Sequence, residues 1–320
     1  MRRYRTAVLG ASMLALLISA CSAGGSSTSP SASEAARPAV TVGSEGFDES
    51  QLLAEIYAQA LEAHGYTVAR QDFASRKLAL PAFDNGDINL LPEYIGSLLR
   101  ELGSMPGGNA LGPATGDTDE TMTNLAAALE PKDQSVLDAA PAQDGDGFVV
   151  RQETADQLSL VTMSDLAKVA DQLTWGLPLE CSDNPSCGPG LKEVYGIDIA
   201  TLRVENLTAC SGEMATALNE GDDQSGIGVA ELCTTQADIE RFNFVLLQDD
   251  KKLIPAQNVA PVVRNDLLDA APDDFETILN DVSAKLTTDE LTKLNVQVSV
   301  NQESIEDVAA QWLADQGLVT

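Results

Sequence analysis

Five cysteines and a single histidine are the side chains of this 320-residue sequence with the most chemistry of their own. His64 falls in the last turn of a helical pattern, and no Gly-x-Ser-x-Gly or His-Glu-x-x-His unit occurs, so neither a nucleophile–base pair nor a zinc hydrolase site is offered. His64 is read as a surface residue at a helix C-terminus. No enzyme, catalytic residue, cofactor or metal is expected. Cys21 stands apart from the other cysteines because of what precedes it. Arg2, Arg3 and Arg5 give a positive start, Ala7 to Ile18 form an uncharged apolar run, and Ile18-Ser19-Ala20 lead into the cysteine. This resembles a lipobox, in which the cysteine takes a diacylglycerol and becomes the new N-terminus. The apolar run is too short to cross ~30 Å of hydrocarbon, which takes about 20 residues, and no other stretch reads as a membrane span. An odd cysteine count in an exported chain needs an explanation, and removing Cys21 supplies it. Three pairings remain open to Cys181, Cys187, Cys210 and Cys233. Closeness in sequence favours Cys181 with Cys187 and Cys210 with Cys233. Their spacings lack a Cys-x-x-Cys unit, which argues against zinc.

Residues 1–20 are therefore read as a signal peptide and 21–39 as a lipidated, flexible tether. Ser, Gly, Ala, Thr and Pro dominate the tether and cannot bury enough apolar surface to order it. The remainder is long enough for one large domain or two smaller ones, and 44% hydrophobic residues allow a substantial core. A formal charge of −30 makes nucleic acid and anionic membrane surfaces poor partners for the folded part; it is read as a solubility feature.

Positioning falls to alternating strands and helices. Val40-Thr41-Val42 reads as a strand ending at Gly43-Ser44. A helix follows, capped by Asp48 with Gln51 and carrying Leu53, Ile56, Tyr57, Ala60 and Leu61 at helical spacing, with Gly65 at its end. Further strands are expected at Tyr66–Arg70 and Ile88–Leu91, separated by a short helical piece from Ser75-Arg76 to Phe83 and a turn at Asp84-Asn85-Gly86-Asp87. Pro92 is expected to start a helix running to Leu102, and 103–118 to form a loop. A second unit of the same style starts near 145. Its strands are Phe148–Val150, Leu173–Gly176, Leu202–Glu205 and Ile227–Ala230, and its helices lie over 164–170, 189–195 and 211–220. Phe244–Leu247 reads as a strand buried on both faces, Asn258–Val263 as another, and three helices close the chain, with Thr287 and Ser304 starting the last two. The fold class is α/β, with parallel sheets covered by helices on both faces. In such sheets ligands sit beyond the strands' carboxyl ends. Those places are Gly43-Ser44, Ser75-Arg76, Pro92-Glu93-Tyr94 and Gly176-Leu177-Pro178.

With those turns identified, the sequence resembles the substrate-binding proteins of ABC importers for glycine betaine, choline and carnitine. The resemblance rests on Val-Gly-Ser-x-x-Phe at 42–47, the run from Leu52 to Gly65, Pro-Ala-Phe-x-x-Gly-Asp-Ile at 81–88 and, most specifically, Leu91-Pro92-Glu93-Tyr94-Ile95-Gly96. Asp165–Val169, Gly188–Leu191, Ala260–Val263 and Lys285–Thr287 follow in order. The resemblance implies a two-lobe periplasmic-binding-protein fold of type II with two hinge crossovers and a ligand cleft between lobes. Residues 40–143 and 252–320 would be lobe 1 and 144–251 lobe 2. It further implies a solute-binding subunit on the outer face of the cell membrane, anchored through Cys21 and monomeric, that hands its solute to a separate permease and cytoplasmic ATPase.

Such proteins hold a quaternary ammonium among aromatic faces, each worth ~0.5–2 kcal/mol. The resemblance places Tyr94 at one cage position. It places Asp146 where the family has a tyrosine, and Cys233, beside Thr234 and Thr235, where it has another ring. With aromatics at only 4% of the chain, Phe47 and Trp175 are the other candidate rings, with packing under loops as their alternative role. Two site readings stay open. Either Asp146 replaces a ring and holds a cation by charge, or Ser44, Ser75, Arg76, Asp146, Thr234 and Asn258 hydrogen-bond a hydroxylated or aromatic solute. A surface ligand-sensing lipoprotein is the remaining alternative function.

Overall fold

A computed structural model describes residues 37–105, 112–222 and 226–319, which belong to one compact unit. Cys21, the signal peptide and all but the last residues of the tether lie outside the described residues. Two five-stranded sheets organise the chain. The first takes β1 (Val40–Glu45), β2 (Val68–Phe73), β3 (Leu90–Tyr94), β4 (Gln134–Val136) and β10 (Val259–Arg264), in the order β2-β1-β3-β10-β4. The second takes β5 (Asp146–Arg151), β6 (Thr174–Leu177), β7 (Arg203–Asn206), β8 (Val229–Cys233) and β9 (Phe244–Leu246), in the order β7-β6-β8-β5-β9. The chain passes from the first sheet to the second between Val136 and Asp146 and returns between Leu246 and Val259.

Both sheets are mixed rather than parallel. β1 runs parallel to β2 and β3, and β6 parallel to β7 and β8, whereas β10 is antiparallel to β3 and β4 and β5 is antiparallel to β8 and β9. The two antiparallel strands are the ones entered straight after a passage between sheets. No helical crossover precedes them, and a helical crossover is what makes successive strands parallel.

Alternation along central strands splits each sheet into two cores. Leu90, Val259 and Val263 join the cluster built on α1 (Asp48–Ala63) and the C-terminal helices, through Leu53, Ile56, Tyr57, Leu279 and Trp312. Leu91, Ala260 and Val262 join the cluster built on α2 (Arg76–Asn85), α3 (Ile95–Ser104) and α4 (Thr118–Leu129). Phe148 and Val150 face one core of the second sheet and Val149 the other. Each fully buried Leu, Ile or Phe contributes about 1.5–3 kcal/mol of transfer free energy.

Local signals mostly hold. Gly65 (φ 85°) and Gly86 (φ 84°) take the left-handed conformation that ends α1 and α2. Thr287, Ser304 and Ser211 cap their helices by side-chain oxygen. Three expectations fail. α1 has Phe47 rather than Asp48 at its N-cap and no side-chain cap, while the Ser50 hydroxyl accepts from the Glu45 N–H at 2.8 Å. Pro92 lies inside β3, not at a helix start, directly opposite Pro261 of β10; neither residue has an N–H that its counterpart would have to accept. β9 is an edge strand, with Val245 and Leu246 only half-buried, because the second sheet ends there.

Candidate functional site

The carboxyl ends of β1 and β3 carry most of the sequence-predicted residues. Ser44, buried and in register with Asp72 of β2, donates its hydroxyl to the Asp72 carboxylate, so it is engaged within the sheet. Ser75 precedes α2 in extended conformation and caps it through its carbonyl only. Arg76 is clamped rather than free. Its Nε and Nη2 reach Glu93 at 2.9 and 2.8 Å, and Nη2 also meets Glu45 at 2.9 Å. Burial raises the Glu93 carboxyl above its ordinary range, with Arg76 opposing. Arg76 is thus a fastener for strand ends, not an outward-facing ligand group.

Tyr94 ends β3 and is 6% exposed, whereas Phe47 is 42% exposed, with ring centroids 6.4 Å apart and planes 21° apart. The Tyr94 hydroxyl donates to Glu49 Oε1 at 2.5 Å. Glu49, in the first turn of α1, also accepts from Asn295 Nδ2 at the end of the helix Thr288–Asn295 and from the Thr235 hydroxyl just past β8. Asn295 Nδ2 donates in addition to the Thr235 carbonyl at 2.9 Å, so this cluster ties elements of the first sheet to the second. Asp144, on the outbound passage between sheets, completes it. Thr235 bonds one of its oxygens, and the other, Oδ1, is buried without a partner. Burial raises both Glu49 and Asp144, and the neighbouring Glu49 carboxylate raises Asp144 further, while hydrogen bonds from Tyr94, Thr235 and Asn295 oppose the shift at Glu49. Burial and the same two carboxylates push the Tyr94 phenol well above its usual value. Neither Glu49 nor Asp144 forms an ion pair among the described residues. Two carboxyls thus lie beside the Tyr94 ring without an ion-pair partner among the described residues.

The remaining predicted residues fall elsewhere. Asp146 and Thr234 line a cavity of about 540 Å³ that none of Ser44, Phe47, Ser75, Arg76 or Tyr94 touches. Thr234 spends its hydroxyl on the Gln143 carbonyl (2.7 Å) and the Gly145 N–H (3.0 Å). Thr235 joins the Glu49 cluster. Asn258 bridges to Gln143 and places Nδ2 on the Ala140 carbonyl at 2.8 Å, holding the two passages together. Trp175 is fully buried in the second sheet's core, packed edge-on against Phe148 with its Nε1–H on the Ala170 carbonyl, so it offers no cage face. Cys181 is joined to Cys187 and Cys210 to Cys233. Glu49, Asp144 and Asn295 were not legible as site residues. Glu49 reads as ordinary first-turn acidity, and only tertiary contact brings the other two to it.

A model of the substrate-binding domain of ABC-type glycine betaine transport systems matches residues 38–315. The chain belongs to this family. Among members of this glycine betaine binding family, a glycine-betaine-binding protein of Pseudomonas aeruginosa is 25% identical over 293 residues, covering 87% of this chain and 88% of that one. A carnitine transport binding protein of Listeria monocytogenes is 24% identical over 304 residues, covering 93% and 91%. A crystal structure described as a glycine betaine/carnitine/choline ABC transporter superposes with a TM-score of 0.75 at 25% identity, covering 87% of this chain and 99% of that one. Within this betaine-type family, the present chain departs at the cage: Cys233, where the resemblance puts a ring, is consumed in a disulfide.

Proposed function

We propose that this chain is the extracytoplasmic, lipid-anchored solute-binding subunit of an ABC importer. It captures a small quaternary ammonium solute of the glycine betaine, choline or carnitine class, without chemical change, and delivers it to a separate permease and ATPase. The observation that carries the ligand class is the Glu49–Asp144 carboxyl pair beside Tyr94, buried where elements of both sheets meet and lacking a cation. A cation entering there replaces ring contacts missing from the cage with charge. Residues 40–143 with 252–320 act as one lobe and 144–251 as the other, swinging on the two passages. A solute touching Tyr94 of one and Thr235 of the other favours the shut arrangement.

Titration calorimetry of the purified chain against glycine betaine, choline, carnitine, proline and polyols tests this. A saturable response to a quaternary amine that is lost in Tyr94→Ala and weakened in Asp144→Asn is expected. Silence toward every quaternary amine overturns the ligand class. A response to polyols alone moves the site to the hydroxylated-solute reading, with the import role unchanged.

A further inference from the structure

The cavity between the two passages is not the Tyr94 site, and its walls have a chemistry of their own. Its volume of about 540 Å³ lies within the range of small-molecule sites, which is about 300–1,000 Å³. The outbound passage supplies Gln143, Gly145 and Asp146, and the return passage supplies Gln248, Asp249 and residues 252–255. Both walls are fixed before anything enters. The Tyr195 hydroxyl donates to Asp249 and accepts from the Lys251 N–H at 2.9 Å, while Asp249 also accepts from the Ile254 N–H at 2.6 Å. On the facing wall the Thr234 hydroxyl pins Gln143 to Gly145. A pocket preorganised in this way loses little entropy on binding.

The lining also selects by charge. Asp117, Asp119, Asp146 and Asp249 face the cavity against one cation, Lys252, which is held by Asp117 at 2.7 Å. Asp146 is half-buried and its carboxylate makes no hydrogen bond among the described residues; burial first and then Glu180 hold it above the ordinary range, with Arg100, which does not line the cavity, opposing. Phe148, Met163 and Leu253 contribute apolar side chains to the same lining. Apolar lining side chains, a carboxylate without a hydrogen bond or ion pair among the described residues and a surplus of acidic groups in the lining suit one class of molecule.

We propose that this cavity is a second small-molecule site, which takes an organic monocation with an apolar body and uses Asp146 as its counter-ion. The sequence-predicted Asp146 and Thr234 belong to this site and not to the solute site at Tyr94. Because the occupant touches both passages between the sheets, it sits where one sheet would move against the other.

The test uses 4-fluorophenethylammonium as probe, followed by 19F NMR on the full chain, with 4-fluorophenylacetate and 4-fluorophenethyl alcohol as anionic and neutral matches. Saturable binding of the ammonium alone is expected. Its affinity should fall about tenfold or more in Asp146→Asn, whose folding is checked by thermal melting, and stay unchanged in Tyr94→Ala and in the exposed Phe47→Ala. Absence of saturable binding overturns the proposal, as does equal binding of the neutral match. Loss in the Tyr94 and Phe47 variants instead of Asp146→Asn would place the probe in the solute site and overturn it too. The solute reading stands or falls separately, on the response of the unmodified chain, Tyr94→Ala and Asp144→Asn to quaternary amines.

Discussion

Glu231 lies in β8, 2% exposed, with one oxygen 3.1 Å from Cys187 Sγ and with Asp146 and Glu180 as its charged neighbours. Burial first, then those two carboxylates, push its carboxyl from the ordinary 4.5 up to about 8. The native state therefore holds a proton that the unfolded state releases between those values. The stability this gives is fully present below pH 4.5 and is lost as pH rises toward 8. A shift of 3.5 units at 1.36 kcal/mol per unit makes the full loss about 5 kcal/mol. Glu231→Gln keeps the shape and removes the ionisation. The variant should match the wild type near pH 4.5 and exceed it by about 5 kcal/mol above pH 8. For a domain of this size that is about 8 °C in melting temperature. Circular-dichroism melts of both proteins across this range, with disulfides intact, read the difference directly. The general pH dependence of a chain carrying −30 charges is common to both and cancels. Parallel curves for the two proteins would refute the reasoning, because Glu231 would then titrate as it does in the unfolded chain.

The Glu49–Asp144 pair has the same sign: both carboxyls are raised, so Asp144→Asn and Glu49→Gln should each flatten the loss of urea stability as pH rises above the carboxylate range. Glu49 faces Tyr94, Asn295 and Thr235, none of which can supply a compensating charge at neutral pH. Arg76→Met leaves Glu93 buried without its guanidinium and should lower urea stability by about 3–5 kcal/mol, with the companion change Glu93→Gln recovering part of it. Replacing Cys210 and Cys233 together by Ser reopens a loop of 23 residues' separation and should cost about 3 kcal/mol, read by chemical denaturation at constant pH.

Much of this protein was set by signals that act within a few residues. The α1 stripe of Leu53, Ile56, Tyr57, Ala60 and Leu61 is buried as its spacing requires, because a helix presents one face whatever it packs against. Gly65 and Gly86 adopt a conformation that other residues adopt at a steric cost, and Thr287 and Ser304 bond amides three residues on. The motif Leu91-Pro92-Glu93-Tyr94-Ile95-Gly96 marks the family, but its pattern points to a helix begun by Pro92, whereas Tyr94 is the last residue of β3.

What escaped the sequence depended on distant partners. Pro92 belongs in a strand only because Pro261 lies opposite, 169 residues away in register (261 − 92). Trp175 reads equally as a cage ring or as core until Phe148 and the Ala170 carbonyl enclose it. Arg76 reads as a ligand group until Glu45 and Glu93 claim it. Glu49, Asp144 and Asn295 carry no motif, and their buried cluster forms only when α1, the outbound passage and a C-terminal helix are folded together. The sequence by itself determined most of the elements and the family. Which polar side chains at the strand ends are held by others, and which stay unpaired, was decided only by tertiary structure, because a hydrogen bond or ion pair requires atoms about 3 Å apart and chain order does not set that distance across elements.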